Sequence, residues 1–386
     1  MLKDSLEIIF IIGSAQAFFI AFLIFSKKNK IIGDYVLSVW HAFIGLHLLS
    51  YYGFALGQLY NYPSLFAVSN TFPLLQGPFM FVYVLTMIDK KNLFRKKYLL
   101  HGIPFLFFNV FMLFDFHFLS FEGKVAYIEK SMFQELPVML LINYLNVFLG
   151  PAYLVLSLFK LRKHQQNIDE EFSYRENIDL KWLWYVLAGM GVIWITVVIA
   201  FSLSTILSMQ NWEWLNHSIY LAVTFCVFFL GYYGLKQKTI FYHEDVLDKN
   251  EILQDNPKKK SPSALYEKSG LKPEDAIQHL ERLKSYMDTG KPYLNGKLSL
   301  KEVADALNIS PNHLSEVING QLDQNFFDFV NNYRVALVKE KLGDPSYNHY
   351  TLLGVALECG FNSKSSFNAI FKKATGQTPS EYLNSL

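Results

Sequence analysis

The sequence predicts an all-α protein, in which a bundle of seven transmembrane helices precedes a cytoplasmic domain with two helix-turn-helix subdomains. The first observation is composition: 52% of the 386 residues are hydrophobic and 17% are aromatic, more than an ordinary soluble protein carries. The second is charge, which is sparse up to about residue 236 and recurs every few residues beyond it. The third is a local pattern near the C-terminus that occurs twice, offset by 52 residues before its turn and 53 after it.

Seven stretches are long enough to cross a bilayer, which requires about 20 mostly apolar residues each. They are residues 6–26, 34–56, 64–88, 98–119, 137–159, 181–208 and 215–236. The predicted external loops are all short, so we expect any signal to enter through the bundle, its loops or the lipid. The two cysteines, Cys226 and Cys359, offer neither a disulfide framework nor a CxxC metal site, and we expect no cofactor.

The basic residues of the loops predict the orientation of this bundle. Thirteen Lys and Arg residues follow the first, third and fifth spans, whereas three lie at the N-terminus and between the fourth and fifth spans. The positive-inside rule therefore places the N-terminus outside and the chain from residue 237 in the cytoplasm, as an odd number of spans also requires. The predicted location is therefore the cytoplasmic membrane, which the chain crosses several times.

Several spans contain polar side chains that lipid would disfavour. Asn and Gln in such spans usually form hydrogen bonds between helices. An ionisable residue more often faces the bundle interior and marks a functional site. His41, His47 and Asp115 are therefore the candidate signal site, and satisfied interior polar groups are the alternative interpretation.

We divide the chain into a transmembrane domain (1–236), a cytoplasmic linker (237–272), a coupling helix (273–295) and a C-terminal domain (296–386). The linker contains three consecutive lysines, Lys258–Lys260, flanked by Ser and Pro, which favours a solvated segment. Pro273 followed by Glu274 and Asp275 is typical of a helix start. That helix is either a coupling or dimer element or a packing helix.

The C-terminal domain contains the repeated pattern as two helix-turn-helix segments, 298–320 and 351–376. In the first, Ser310 is the expected cap of the second helix and Pro311 its first residue. In the second, Gly360 supplies the turn and Ser363 the cap. A longer helix, from Asn325 to Leu342, is expected between them.

At these residues the sequence resembles the AraC/XylS family of bacterial transcriptional regulators, over about residues 296–386. The strongest part of the resemblance is Val355–Phe361, followed by Ser363, Phe367, Phe371–Lys373, Gly376 and Thr378–Tyr382. The resemblance implies a double-stranded DNA-binding domain whose two helix-turn-helix subdomains are joined by a long helix. Each would place one helix in successive major-groove turns on one face of the DNA.

The outward positions of the two reading helices follow from their apolar faces. With Leu314, Ile318, Phe367 and Phe371 facing the cores, eight residues are expected to read bases: Asn312, His313, Ser315, Glu316, Lys364, Ser365, Asn368 and Ala369. Asn pairs with adenine, Glu accepts from cytosine and Lys donates to guanine. Three basic residues are expected at phosphates, which set position and not sequence: Arg334, Lys372 and Lys373.

The sequence departs from the family's habit in its charge. Residues 296–386 contain eight Lys and Arg against nine Asp and Glu, although phosphate neutralisation supplies most non-specific DNA affinity. Glu316 and Ala369 also stand where many family members have basic or long polar side chains. The base preference therefore does not transfer from the family.

The leading hypothesis is a membrane-embedded one-component regulator and not an enzyme. The bundle would sense an unknown small-molecule or membrane signal, and a homodimer of C-terminal domains would bind a promoter. Release of the C-terminal domain by proteolysis within 237–263 stays open. The alternative is an intramembrane metal-dependent hydrolase with an accessory C-terminal domain, whose candidate ligands would be His41, His47, Asp115, His117 and His217.

Overall fold

The computed structural model describes residues 2–89, 93–132, 136–176, 178–207, 213–236 and 271–386. Within these residues the chain is helical, with one isolated antiparallel bridge and no extended strand, as the predicted all-α class requires. Residues 237–270 of the predicted linker lie outside the described residues, and these include its lysine run and the possible cleavage region 237–263. Lys90 and Lys91 also lie outside them.

Two compact units divide the chain. The bundle unit comprises Met1–Arg162 and Leu180–His243, and the C-terminal unit comprises Lys163–Asp179 and Glu244–Leu386. This division places residues 163–179, which the sequence prediction includes in the transmembrane domain, in the C-terminal unit. These residues connect the fifth and sixth predicted spans.

The bundle unit contains seven helical segments long and apolar enough to cross a membrane, close to the seven predicted spans. Its helices are α1 (Leu2–Phe25), α2 (Ile32–Ala55), α3 (Ser64–Thr71), α4 (Pro73–Ile88), α5 (Ile103–Met112), α6 (Phe121–Met132), α7 (Pro137–Glu171), α8 (Lys181–Leu207) and α9 (Glu213–Lys236). The third span is divided between α3 and α4, because Pro73 has no N–H to continue the first helix. The last nine residues of α7 belong to the C-terminal unit.

Close helix contacts in the bundle unit depend on small residues. Helix α1 packs against α2 and α9, and α8 packs against α9. Gly13 of α1 faces the Thr224 side chain of α9, and Gly231 of α9 faces Ile20 of α1, so that a methyl group at either glycine would collide. Without a hydrophobic driving force between helices in lipid, such close approach is how they gain contact.

Two amide side chains of the spans form the predicted bonds between helices. Trp40 donates its indole N–H to Gln76 Oε1 at 2.8 Å. Asn109 donates to Thr71 Oγ1 at 2.8 Å, joining α5 to α3. Each amide therefore satisfies a buried polar partner on another helix, which confirms the structural interpretation of these two residues.

The C-terminal unit is built from short, well-capped helices. They are α10 (Pro273–Gly290), α11 (Leu300–Leu307), α12 (Pro311–Leu322), α13 (Phe326–Gly343), α14 (Leu352–Glu358), α15 (Lys364–Thr375) and α16 (Pro379–Asn384). Ser299 and Glu302 form a reciprocal capping box at α11, and Thr378 and Glu381 form another at α16. Each box satisfies two backbone N–H groups that the helix itself leaves open.

Two apolar cores share the long helix α13. The first contains Val303, Leu314 and Phe329, and α10 contributes Leu283 and Met287 to it. The second contains Val338, with residues of α14 and α15. Helix α10, expected as either a coupling or a packing element, is thus part of the first subdomain's core.

Gly360 has a conformation and a position that only glycine tolerates. Its φ is +88°, in the left-handed region, and a Cβ there would meet the Tyr293 carbonyl oxygen and approach Leu294 Cα to 3.1 Å. Gly376 also has a positive φ, of +80°, but open space surrounds its missing Cβ. A side chain at Gly376 would therefore meet only the unfavourable backbone angle, whereas a side chain at Gly360 would meet both that angle and a steric clash.

We predict that Gly360→Ala destabilises the C-terminal unit by more than the roughly 1 kcal/mol typical of an incompatible backbone angle, because the methyl group also displaces the Tyr293 backbone. Gly376→Ala is the matched control and is expected to show the backbone cost alone. Hydrogen exchange of α14 and α15 amides in the full-length protein measures both. Equal loss of protection in the two variants would contradict the predicted clash.

Candidate nucleic-acid interface

The first helix-turn-helix consists of α11, a tight turn and α12. Asn308 ends α11 in the left-handed conformation, with φ +55°, which Asn adopts more readily than most residues. The Ser310 hydroxyl accepts the His313 backbone N–H at 3.1 Å, as predicted for the cap. Leu314, Val317 and Ile318 are fully buried, so the opposite face of α12 is left outward.

The predicted reading residues of α12 lie on or beside that outward face. Asn312 is exposed, and His313, Ser315 and Glu316 are half-buried. Asn319, which the sequence interpretation did not include, occupies the same face, because it follows Asn312 by seven residues and Glu316 by three. Continuing the helical spacing by one more turn would have found it.

The second helix-turn-helix consists of α14, the Cys359–Gly360 turn and α15. The Ser363 hydroxyl accepts the Ser366 backbone N–H at 3.2 Å and caps α15. Phe367 and Phe371 are buried against the second core. The four predicted reading residues of α15 are all exposed: Lys364, Ser365, Asn368 and Ala369.

The two lysines expected at phosphates are accessible. Lys372 and Lys373 are exposed in the last turn of α15. Lys373 pairs with Asp328 at 2.6 Å while its side chain remains 65% exposed. Because such a surface pair contributes little free energy, Lys373 can exchange this carboxylate for a phosphate at small cost.

Arg334 corrects one sequence prediction, because its side chain is not free for phosphate. Only 1% of the residue is exposed, and its guanidinium donates to the carbonyl oxygens of Tyr293 and Asn295, both at 2.8 Å. It also donates to Ser173 O at 2.9 Å, Ser173 Oγ at 3.0 Å and Asn331 Oδ1 at 3.1 Å. All five N–H donors of the guanidinium are used, so Arg334 is a structural residue here.

Burial lowers the pKa of the Arg334 guanidinium. Desolvation lowers its pKa to about 10, and the negative charge of Glu176 partly opposes this shift. The group stays protonated at neutral pH, since that value lies well above 7. A buried cation therefore sits in a ring of main-chain and side-chain oxygens.

The candidate signal residues in the bundle unit lie in different surroundings. His41 and His47 are both buried in α2. His41 Nδ1 lies 2.8 Å from the Leu37 carbonyl oxygen, within its own helix. Asp115 is exposed and accepts a 2.7 Å bond from the Tyr127 hydroxyl, so its described contacts differ from those of either histidine.

His47 instead belongs to a small polar group with α9. Its Nε2 lies 3.0 Å from the Tyr220 hydroxyl, and the Tyr51 hydroxyl lies 3.2 Å from His217 Nδ1. The Tyr51 and Tyr220 rings stack with centroids 3.5 Å apart. Two histidine–tyrosine pairs therefore join α2 to α9, an arrangement suited to hydrogen-bond exchange between the helices.

The alternative metal-hydrolase interpretation needs at least three ligands around one ion. Within the described residues, the side chains of His, Cys, Asp and Glu form no group of three that could hold a metal. His217 is engaged with Tyr51, and Asp115 with Tyr127. The described geometry therefore offers no positive support for that alternative.

Comparison with known proteins identifies the C-terminal part of the chain. Residues 303–385 match a family model described as a helix-turn-helix domain. An uncharacterized HTH-type transcriptional regulator of Staphylococcus aureus strain COL is 31% identical over 107 residues, which are 28% of this chain and 14% of the relative. The uncharacterized HTH-type transcriptional regulator YpdC of Escherichia coli K12 is 34% identical over 85 residues, 22% of this chain and 29% of that protein.

The C-terminal part is therefore a helix-turn-helix domain of the AraC type, as its motif predicted. The chain matches only 14% of the length of the S. aureus relatives, so the likeness concerns a part of each protein. No solved structure matches the chain.

We predict that Arg334→Met destabilises the C-terminal unit by on the order of 3 kcal/mol, because charge-assisted bonds are lost and buried carbonyl oxygens are left without donors. Hydrogen exchange of α13 amides in the full-length protein is the measurement. Lys339→Met, at an exposed position of the same helix, is the control and should leave protection unchanged. Unchanged protection in Arg334→Met, with only a smaller salt dependence of DNA binding, would restore the phosphate role.

Proposed function

We propose that this protein is a membrane-embedded one-component transcriptional regulator. The observation that carries the proposal is the pair of capped helices, α12 and α15, whose outward faces carry polar residues suited to base edges. Seven apolar helices precede them in the same chain. Sequence-specific binding to double-stranded promoter DNA would be the output of the C-terminal domain.

The proposed orientation has the N-terminus outside and the C-terminal domain in the cytoplasm of a bacterium. The loop charges favour this arrangement. Residues 163–179, between the fifth and sixth spans, form one compact unit with residues 271–386, and this supports the same arrangement because both must lie on one side of the bilayer. Promoter DNA is available on the cytoplasmic side.

The proposed input is a small molecule or a membrane signal received by the bundle. The two histidine–tyrosine pairs between α2 and α9 are the place where a change of hydrogen bonding could alter helix packing. The proposed signal mechanism does not involve Asp115, which is exposed and accepts a hydrogen bond from Tyr127. A homodimer would add avidity to a domain that lacks net positive charge.

DNA recognition is tested at the exposed face of α15. We predict that Asn368→Ala relaxes the base preference at one position at a cost of about 1–3 kcal/mol. Lys372→Ala is expected to weaken binding about equally on all sequences and to lower the salt slope by about one. Selection from a random duplex library followed by titration of the selected duplex measures both effects.

Lys284→Ala, at an exposed position of α10, is the control for the loss of positive charge. Unchanged footprint and relative affinities in Asn368→Ala would contradict the assignment of α15 as a reading helix. Failure of the unaltered protein to select any duplex would contradict the proposed function itself.

The orientation is tested by labelling with a membrane-impermeant maleimide. In a Cys226→Ala background, Lys130→Cys should label in intact spheroplasts, whereas Lys97→Cys should label only after permeabilisation. Cys359 is fully buried and serves as an internal blank. The reverse labelling pattern would contradict the proposed topology.

A further inference from the structure

A strongly acidic loop is packed into the C-terminal unit. Residues 163–179 comprise the last nine residues of α7 and the segment that follows it; they are called the acidic loop below and contain five Asp and Glu against two Lys and Arg. They belong to the same compact unit as α10–α16, although they lie about a hundred residues earlier in the chain. The domain that would bind DNA therefore holds, within itself, a segment with the sign of charge that DNA carries.

Main-chain bonds fix the register of the acidic loop. Phe172 forms an antiparallel bridge with Ser299, and the Ser173 N–H donates to the Leu298 carbonyl oxygen at 3.1 Å. The Ser173 hydroxyl donates to the same oxygen at 2.8 Å, and its carbonyl accepts from Arg334. Because Ser173 is 1% exposed, this is a docked position and not a passing surface contact.

Arg175, two residues after Ser173, makes further contacts that hold the acidic loop in place. Its guanidinium lies over the Phe327 ring of α13, 4.4 Å from the ring centroid. Asp169 holds that guanidinium with two bonds of 2.6 and 2.7 Å. The loop therefore folds back on itself, which fixes the direction of the residues between Asp169 and Arg175.

Glu170 occupies the outward face of the first reading helix. Its Oε2 accepts from Asn319 Nδ2 at 2.8 Å and from Ser315 Oγ at 3.2 Å. Ser315 is one of the predicted base-reading residues, and Asn319 lies on the same face of α12. A carboxylate thus engages polar groups that would otherwise be available to the edges of bases or to a phosphate.

Glu176 occupies the start of the second reading helix. Its Oε1 accepts from the Ser363 hydroxyl at 3.2 Å, and Ser363 is the residue that caps α15. Backbone N–H groups and the helix dipole make the first turn of a helix favourable for an anion. A carboxylate of the acidic loop therefore stands where a DNA phosphate would be stabilised.

We propose that the acidic loop is an autoinhibitory element that competes with DNA for α12 and for the N-terminus of α15. The inference rests on the proposed DNA-binding function. The acidic loop begins with the last nine residues of α7 and leads into α8, so a rearrangement of these helices would pull the carboxylates away from the reading helices. Release of Ser173 would also break two bonds of Arg334, and the signal must supply the free energy for this. The same event would expose both reading helices, α12 and α15, because Glu170 and Glu176 belong to one segment.

The test uses the full-length protein in nanodiscs, with a fluorescent duplex selected from a random library as the probe. Glu170→Gln with Glu176→Gln is expected to tighten DNA binding about tenfold, since loss of two charge-assisted contacts weakens the competing state. Glu281→Gln, at an exposed position of α10, is the control for removing negative charge. Equal affinities of the double variant and the unaltered protein overturn the inference, as does equal tightening by the control.

Hydrogen exchange of the unaltered protein gives a second readout that needs no variant. Addition of the duplex is expected to increase exchange at the Phe172–Tyr174 amides while protecting α12 and α15. Persistent protection of the loop in the DNA complex would make it a fixed structural part and overturn the inference. If no protein, altered or not, binds any duplex even at low salt, the proposed function fails instead, and the two failures are distinguishable.

Discussion

The five bonds of the Arg334 guanidinium are the interaction on which the C-terminal unit depends most. They join α13 to the segment before α11, through Tyr293 and Asn295, and to the acidic loop, through Ser173. A buried guanidinium is costly unless every donor is satisfied, so these three parts of the chain stabilise one another. Gly360 approaches the same place closely, because its missing Cβ leaves room for the Tyr293 carbonyl oxygen. The second helix-turn-helix therefore contacts the segment before α11 at Gly360, in addition to packing on α13.

Local structure was predictable because its causes are local. Ser310, Ser363 and Gly360 have the capping and turn roles that their positions indicated, since a cap needs only residues three positions away. The seven apolar stretches reappear as seven helical segments of sufficient length, the third of them divided at Pro73, because length and composition alone define them. The prediction that Arg334 contacts phosphate is wrong, because four of its five bonds go to residues 39 to 161 positions away in the chain. No helical periodicity contains such information, and a charged residue on an amphipathic helix is usually exposed.

The acidic loop was missed for a related reason. Its sequence resembles an ordinary charged connection between two spans. Its lysine and arginine indicate only on which side of the membrane the connection lies. The feature that distinguishes it is the short stretch Phe172-Ser173-Tyr174, two aromatic residues around a serine amid charges. That stretch is too short to predict an extended pairing from sequence, and the pairing is an isolated bridge between Phe172 and Ser299. Only the folded structure shows the Phe172–Ser299 pairing, because folding brings these two distant residues together in the C-terminal unit.

The lack of net positive charge in the C-terminal domain and the presence of the acidic loop have a common physical consequence. A domain with eight basic and nine acidic residues gains little from counterion release, so its affinity for DNA depends on short-range contacts at α12 and α15. Two carboxylates can compete effectively with such contacts, because each charge-assisted hydrogen bond contributes only about 1.5–3 kcal/mol. A strongly basic reader would displace them without any signal. In the proposed regulator, low net charge is therefore the condition that allows a rearrangement of a few kcal/mol in the bundle to decide whether DNA is bound.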